Sequence, residues 1–371
     1  MLRMAIFGSG GMAEYHAAKF SSLPDCAVTA ACDHRSDHAW AFAARLGISL
    51  AFDSMDALLD WGKFDALSCA VIDGKHRQVV DAALGRGIPV FCEKPLSRTL
   101  SDAQVMAALA VESRRAGGTQ SAVNFSKRNA SALLALKNAV ETELGDIEMV
   151  EATYNQDWVS TKGWGDWTSV PRWKWRLSPE ESTAGCVGDL GSHLLDALFF
   201  VFGKNALCSK KPGSGMGLEE AMERGLVARE SIPRELIFDS TSTSSARNGQ
   251  NFRGLPWVDF SAELLLANGA PLKMRTSWIS SSVRVPGAGD DFVIRVQGSR
   301  AVAELDLGRS RTSIVLVAGD KGSILAGPPV VSTYENFIDS VRAGKEVFPG
   351  FQEGLEVQRL LNGILPGGLP A

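Results

Sequence analysis

The sequence predicts an α/β protein of two domains, and three observations carry that reading. An apolar run, Met4-Ala5-Ile6-Phe7, enters the glycine-rich turn Gly8-Ser9-Gly10-Gly11-Met12-Ala13 and then an apolar-periodic segment with Met12, Tyr15 and Phe20. Strand and helix patterns keep alternating from there to residue 123, as in a parallel sheet with helical crossovers. Far downstream, apolar and polar residues alternate with period two, as in antiparallel strands with one buried face. A length of 371 residues suits two domains with separate cores. Their expected extents are 1–123 and 124–371, and the closing helices are allowed to pack back on the first domain.

The first unit reads as strand, glycine turn and helix of a dinucleotide-binding motif, with Ala in the third glycine position. Gly8 permits the tight turn, Gly10 lets the backbone approach a pyrophosphate, and small Ala13 lets helix and strand pack closely. Phosphates would meet the free N–H groups and positive end of the helix. A second strand, Val28-Thr29-Ala30-Ala31-Cys32, ends in Asp33, at the distance expected for a carboxylate that holds ribose hydroxyls. Such a carboxylate repels a 2′-phosphate and favours NAD. NADP stays open, because Arg35 and Ser36 follow, next to His34, and could take that phosphate if Asp33 turned away.

Ser54 is placed to cap a short helix through Leu58 and Leu59. Asp65 leads a strand, Ala66 to Val71, and His76 to Arg86 reads as a helix closed by Gly87. Ile88 to Cys92 is the next strand and delivers Glu93-Lys94-Pro95 at its carboxyl end, where open parallel sheets bind ligands. Pro95 fixes that turn and holds Lys94 extended. Ser101 and Gln104 form a capping box for a helix reaching Arg115, and Thr119 to Val123 makes a further strand.

In the second domain, Lys127 to Glu143 reads as a helix and Glu148 to Asn155 as a strand. Trp158, Trp164, Trp167, Trp173 and Trp175 crowd into an irregular stretch, where flat rings can stack on sugar faces or fill a core. Then comes Gly185 to Asp196, where helical spacing sets Asp189, His193 and Asp196 on one face behind glycines 185, 188 and 191. A metal-binding trio and a packed helix start with a buried histidine are the competing readings of these residues. Residues 204–256 form a polar excursion with one helix near Leu218 to Val227. Val258, Phe260, Ala262, Leu264 and Leu266, then Leu272, Met274, Thr276 and Trp278, alternate with polar residues and are joined at Asn268-Gly269 as a hairpin. More strands fall at Phe292 to Val296, Ala301 to Leu305 and Ile314 to Val317, and helices at Tyr334 to Val341 and Gly354 to Leu361.

Composition narrows the classes. Hydrophobic residues at 45% and charged residues at 22% are ordinary for a globular protein, and the net charge of −4 is spread without a basic stripe, so nucleic acid and membrane surfaces are not expected partners. No apolar run approaches the roughly 20 residues of a bilayer span. The strand at the very start leaves no signal-peptide pattern, and a cytoplasmic location is expected. The six cysteines lack paired spacings and read as reduced thiols without a zinc site; Cys186, with no second histidine nearby in sequence, reads as packing rather than nucleophilic.

Three motifs together, Gly8 to Ala13, Glu93 to Pro95, and Gly185 to Asp196, resemble the glucose-fructose oxidoreductase, inositol dehydrogenase and MocA family over nearly the whole chain. The resemblance implies an N-terminal Rossmann domain followed by an α/β domain with a large open sheet, the latter also a surface for a homodimer or homotetramer. It implies an NAD(P)-dependent dehydrogenase of a sugar, inositol or related polyol. Lys94, Asp189 and His193 would be the trio handling the oxidised hydroxyl, with His193 as base, Lys94 stabilising the alkoxide and Asp189 orienting substrate or tuning Lys94. Cofactor contacts would come from Gly8, Ser9, Gly10, Gly11, Met12, Ala13, Asp33, His34, Arg35, Val71, Ile72, His76, Glu93 and Lys94. Substrate contacts would come from Lys94, Trp175, Arg176, Asp189 and His193, with no metal; a structural ion pair is the other reading of Arg176. Two departures stand out: Val71 and Ile72 occupy the place of a common Thr-Pro pair, and Cys186 that of a common glycine. Net glycoside cleavage with transient oxidation, or a nucleotide sensor without chemistry, are the alternative functions.

Overall fold

A computed structural model describes residues 1–161, 165, 175–178, 181–203, 206–209, 212–224, 226–227, 257–280 and 290–369. The chain forms two compact units, Met1–Ser126 with Val331–Gln358, and Lys127–Val330 with Arg359–Pro370.

The first unit alternates strand and helix: β1 Leu2–Phe7, α1 Gly11–Ser21, β2 Cys26–Cys32, α2 Ser36–Leu46, β3 Leu50–Phe52, α3 Met55–Trp61, β4 Ala66–Cys69, α4 His76–Leu84, β5 Val90–Cys92, α5 Leu100–Gly117 and β6 Ser121–Val123. Its six strands are parallel in the order β3-β2-β1-β4-β5-β6, so strand order reverses between β1 and β4, the switch point at which such sheets bind ligands. Met4, Ile6, Phe20 and Phe91 build the core. They are joined by Tyr334, Phe337 and Ile338 of a helix late in the chain, Thr333–Ala343. That helix starts with a capping box in which Ser332 and Glu335 satisfy each other's backbone N–H groups.

Local signals placed some boundaries differently. Ser54 does cap α3 through Ala57 N–H. The expected box of Ser101 and Gln104 is replaced by Thr99, whose hydroxyl accepts from Asp102 N–H, so α5 starts two residues earlier. The strand expected to run to Val71 stops at Cys69, because the chain turns into the one-turn segment Asp73–Lys75 before α4.

The second unit carries α6 Ser131–Thr142, β7 Ile147–Asn155, α7 Ser192–Phe202, β8 Leu207–Ser209, β9 Ser214–Gly217, α8 Leu218–Glu223, β10 Trp257–Leu266, β11 Pro271–Ser277, β12 Asp291–Gly298, β13 Val302–Asp306, β14 Ser313–Ala318 and β15 Lys321–Ala326. Helix α9 is the Thr333–Ala343 segment of the first unit, and α10 is Phe351–Ile364. The helix expected from Lys127 breaks into a turn, Ser126–Asn129, before α6. The nine-stranded sheet runs β15-β14-β13-β12-β7-β11-β10-β8, with β9 also on β10. Within this sheet, among the described strands, only the β11–β7 pair is parallel. Val258, Phe260, Leu264, Leu272 and Met274 are buried, as period two requires. Asn268 accepts the N–H of Ala270, and Gly269 takes φ +86°, closing the β10–β11 hairpin.

Candidate active site

On the nucleotide side, Gly8 follows β1 with φ +112°, and a Cβ there would collide with the carbonyl of Ala70 at the end of β4. The glycine is therefore required by both conformation and space. Gly10 is the N-cap of α1, and a Cβ at Gly10 or Gly11 would meet open space, leaving the helix N-terminus accessible. Ala13 is fully buried against the sheet, while Met12 is exposed. Asp33, just after β2, accepts from the Ser9 hydroxyl and, 3.1 Å away, from the backbone N–H of Arg35. His34 and Arg35 point their own side chains largely into solvent beside it. Accessible N–H groups followed by a held carboxylate fit the phosphates and ribose of a dinucleotide.

Val71, Ile72 and Lys94 are half-buried at the carboxyl ends of β4 and β5. Glu93 and His76 are placed beneath them. The His16 Nε2 and the Asn124 amide reach Glu93 Oε1 at 2.7 and 2.6 Å, and that amide also reaches the Tyr334 hydroxyl at 3.0 Å. Burial alone would push the Glu93 carboxyl up; the hydrogen bond and field of His16, helped by Lys94 and Asn124, hold it below the usual carboxylate range. Fully buried His76 lies 3.1 Å from the carbonyls of Val71, Pro95 and Leu96. It thereby ties the turn after β4 to the turn after β5. Sequence spacing did not reveal a further neighbour: Cys69 and Cys92 are directly paired on β4 and β5, and with His76 they form a buried group of donor atoms.

In the second unit, Val187–Gly191 is a π-helical turn that runs straight into α7. Gly188 is needed because a Cβ would strike the Thr183 carbonyl, while at Gly191 one would come 2.9 Å from Met274 Cε on β11, the far end of a side chain that can shift. These close approaches seat the turn on the sheet. Partly exposed Asp189 lies 3.6 Å from the Arg176 guanidinium, which stands 4.6 Å over the Trp175 ring, so Arg176 takes the ion-pair role. His193 is buried at 7% exposure with its ring 6.1 Å from that of Tyr154.

Asp196 has a different task. It is 1% exposed and takes a bidentate pair from Arg128 at 2.8 and 2.6 Å. Among the described residues, Asp189, His193 and Asp196 do not gather as a group of candidate ligands. Cys186 packs, its thiol 3.5 Å from the Thr276 hydroxyl and its pKa driven up by burial. Trp158 also packs, fully buried against Trp278, whereas Trp164, Trp167 and Trp173 lie outside the described residues.

A cluster beside His193 escaped the sequence reading. Tyr154 donates to Asp290 at 2.7 Å, Gln156 and Lys127 reach the same carboxylate at 2.6 and 3.2 Å, and the Lys127 ammonium stands 4.5 Å over the Tyr154 ring. Burial, followed by the Asp290 charge, raises the Tyr154 phenol well above its ordinary value, so it remains a hydrogen-bond donor. The available signal was a polar end, Tyr154-Asn155-Gln156, on an otherwise regular strand.

Residues 2–118 match the profile described as oxidoreductase family, NAD-binding Rossmann fold, and residues 133–207 match the GFO/IDH/MocA C-terminal domain, together just over half of the chain. Glucose-6-phosphate 3-dehydrogenase of Bacillus subtilis (strain 168) is 26% identical over 204 residues, covering 54% of this chain and 54% of that protein. D-glucoside 3-dehydrogenase of Escherichia coli (strain K12) is 30% identical over 210 residues, covering 56% of each. The matches thus span about half the length of these relatives. A solved structure of levoglucosan dehydrogenase in complex with NADH and levoglucosan superposes with a TM-score of 0.75 at 16% identity, covering 100% of this chain and 99% of that one, a likeness of fold.

Proposed function

The chain belongs to the Gfo/Idh/MocA oxidoreductase family, with an NAD-binding Rossmann domain, and from that premise we infer that it is an NAD(P)-dependent dehydrogenase of a sugar, inositol or related polyol. The observation that carries the inference is chemical. The first unit carries a lysine at the carboxyl end of β5, beside a nucleotide turn, and the second unit carries an aspartate and a buried histidine on a glycine-seated π turn. A nucleotide sensor has no need of the second set. Both relatives above are named for oxidation at the 3-position of a glucose unit, which puts glucose-type pyranosides first among candidate substrates.

Asp33 would hold the adenosine ribose, favouring NAD, and the N-terminus of α1 would face the pyrophosphate. The bound nicotinamide supplies the hydride acceptor. His193 takes the proton of the substrate hydroxyl, since imidazole exchanges protons near neutral pH. Lys94 donates a hydrogen bond to the same oxygen and stabilises the developing alkoxide. Asp189, paired with Arg176, accepts from a neighbouring hydroxyl and fixes the face presented. The Trp175 ring adds an apolar platform.

A screen of cofactor reduction across pyranosides and cyclitols, with NAD and NADP side by side, tests the reading. His193→Ala and Lys94→Ala should each lower kcat roughly a hundredfold or more on the substrate found. Near-native turnover in both variants would sink the mechanism. Free sugar appearing without net NADH would point to glycoside cleavage instead.

We also propose that the open face of the nine-stranded sheet is the surface of a homodimer or homotetramer. Glu151, Lys273, Arg295 and Glu304 alternate in charge across directly paired positions there. Exposed Val315, Val317 and Ile324 add an apolar strip on β14 and β15. A face of this kind, apolar and charge-patterned together, suits a wet subunit contact.

A further inference from the structure

Cys69 and Cys92 lie directly opposite each other on the parallel pair β4–β5, so both side chains leave the sheet on the same side. His76 opens α4 and folds back toward them. The two sulfurs and a His76 ring nitrogen all lie within 4.8 Å of one another, and all three residues are 0% exposed. Metal–sulfur and metal–nitrogen bonds of about 2.3 and 2.0 Å place tetrahedral donors roughly 3.5–3.8 Å apart, so a closure of no more than roughly 1.3 Å completes the set.

We propose that Cys69, Cys92 and His76 bind one zinc(II) ion at the carboxyl ends of β4 and β5. Binding displaces the two thiol protons to solvent and changes no oxidation state. Two thiolates and a neutral imidazole then give a centre of zero net charge with Zn(II), the least costly occupant of so dry a location; a monovalent soft cation would leave a buried negative charge. Each His76 ring nitrogen has a backbone carbonyl 3.1 Å away, so on ligation one nitrogen keeps its N–H hydrogen bond to a carbonyl while the other exchanges its carbonyl contact for the metal. The fourth tetrahedral position falls to a small ligand such as water. Cys92 immediately precedes Glu93 and Lys94, and Cys69 stands just before Ala70, Val71 and Ile72. The ion would therefore clamp together the two turns assigned to the nucleotide side, independently of the substrate.

Titration of the full-length chain with Zn(II) against a chromophoric chelator, and with Co(II) read by sulfur-to-cobalt charge-transfer absorption, tests this. Wild type should hold one equivalent with a thiolate band. Cys69→Ser, Cys92→Ser and His76→Asn should each weaken binding by about tenfold or more, whereas Cys208→Ser, which alters the exposed cysteine, should not. A readout without substitutions comes from mass mapping of thiol alkylation in wild type, in which Zn(II) should protect Cys69 and Cys92 selectively. Absence of the charge-transfer band, equal affinity in Cys69→Ser and wild type, protection confined to Cys208, or a Cys69–Cys92 disulfide in place of two thiols would each overturn the proposal.

Discussion

At Gly8 a single residue type is dictated twice, by a φ of +112° and by the Ala70 carbonyl that closes off the Cβ direction. Gly8→Ala should cost roughly 1–3 kcal/mol from backbone strain alone, with loss of nucleotide binding beyond it. Denaturant titration and isothermal calorimetry with NAD would check both, and unchanged stability would contradict the geometry. The buried thiols supply a second test. Burial pushes Cys26 up to about 11 and, with Asp33 and Asp53 adding to the effect, Cys32 up to about 12, from an ordinary 9.0. The folded state therefore keeps protons that the unfolded chain releases, and stability falls as pH rises from 9 toward 11. Cys32→Ala should flatten that alkaline decline of Tm; an unaltered slope would show that Cys32 is not its source. The glycine turn is legible in sequence because its constraint is local. The meeting of Cys69, Cys92 and His76 is not, because strand pairing creates it.

Among the elements, α7 carries the clearest division of labour. Asp189, His193 and Asp196 look equivalent by spacing, yet the π turn and the arrival of Arg128 separate them. Arg128→Ala would leave a buried carboxylate uncompensated and should destabilise by roughly 3–5 kcal/mol. Arg128→Met with Asp196→Leu should recover much of that loss, and failure to recover it would mean that Arg128 matters for something other than the pair. Strands β10 and β11 were readable residue by residue, because one face of each is core and the other is not. Edge strand β15 was missed: apart from its half-buried Leu325 its side chains are exposed, so no apolar alternation marks it. Helix α5 is capped by Thr99 rather than Ser101; both residue types are competent caps, so local sequence does not choose between them.

For the molecule as a whole, the charge-alternating open sheet leads to a mass in light scattering of two or four chains at micromolar concentration. A monomer there would remove the assembly proposal while leaving the dehydrogenase proposal intact. Tyr334, Phe337 and Ile338 complete the core of the first unit from the far end of the chain, a long-range choice that a helix pattern cannot express. By itself, the sequence determined the α/β class, the nucleotide turn, the alternating strands and the residue types available for chemistry, since each depends on local conformation or on a short period. The tertiary structure alone decided which polar residues support and which are presented. It buried Asp196 on Arg128, His76 on three carbonyls and Glu93 on His16, and it left Asp189 and Lys94 partly exposed. Burial and partner choice arise from contacts distant in sequence, and spacing along the chain carries no record of them.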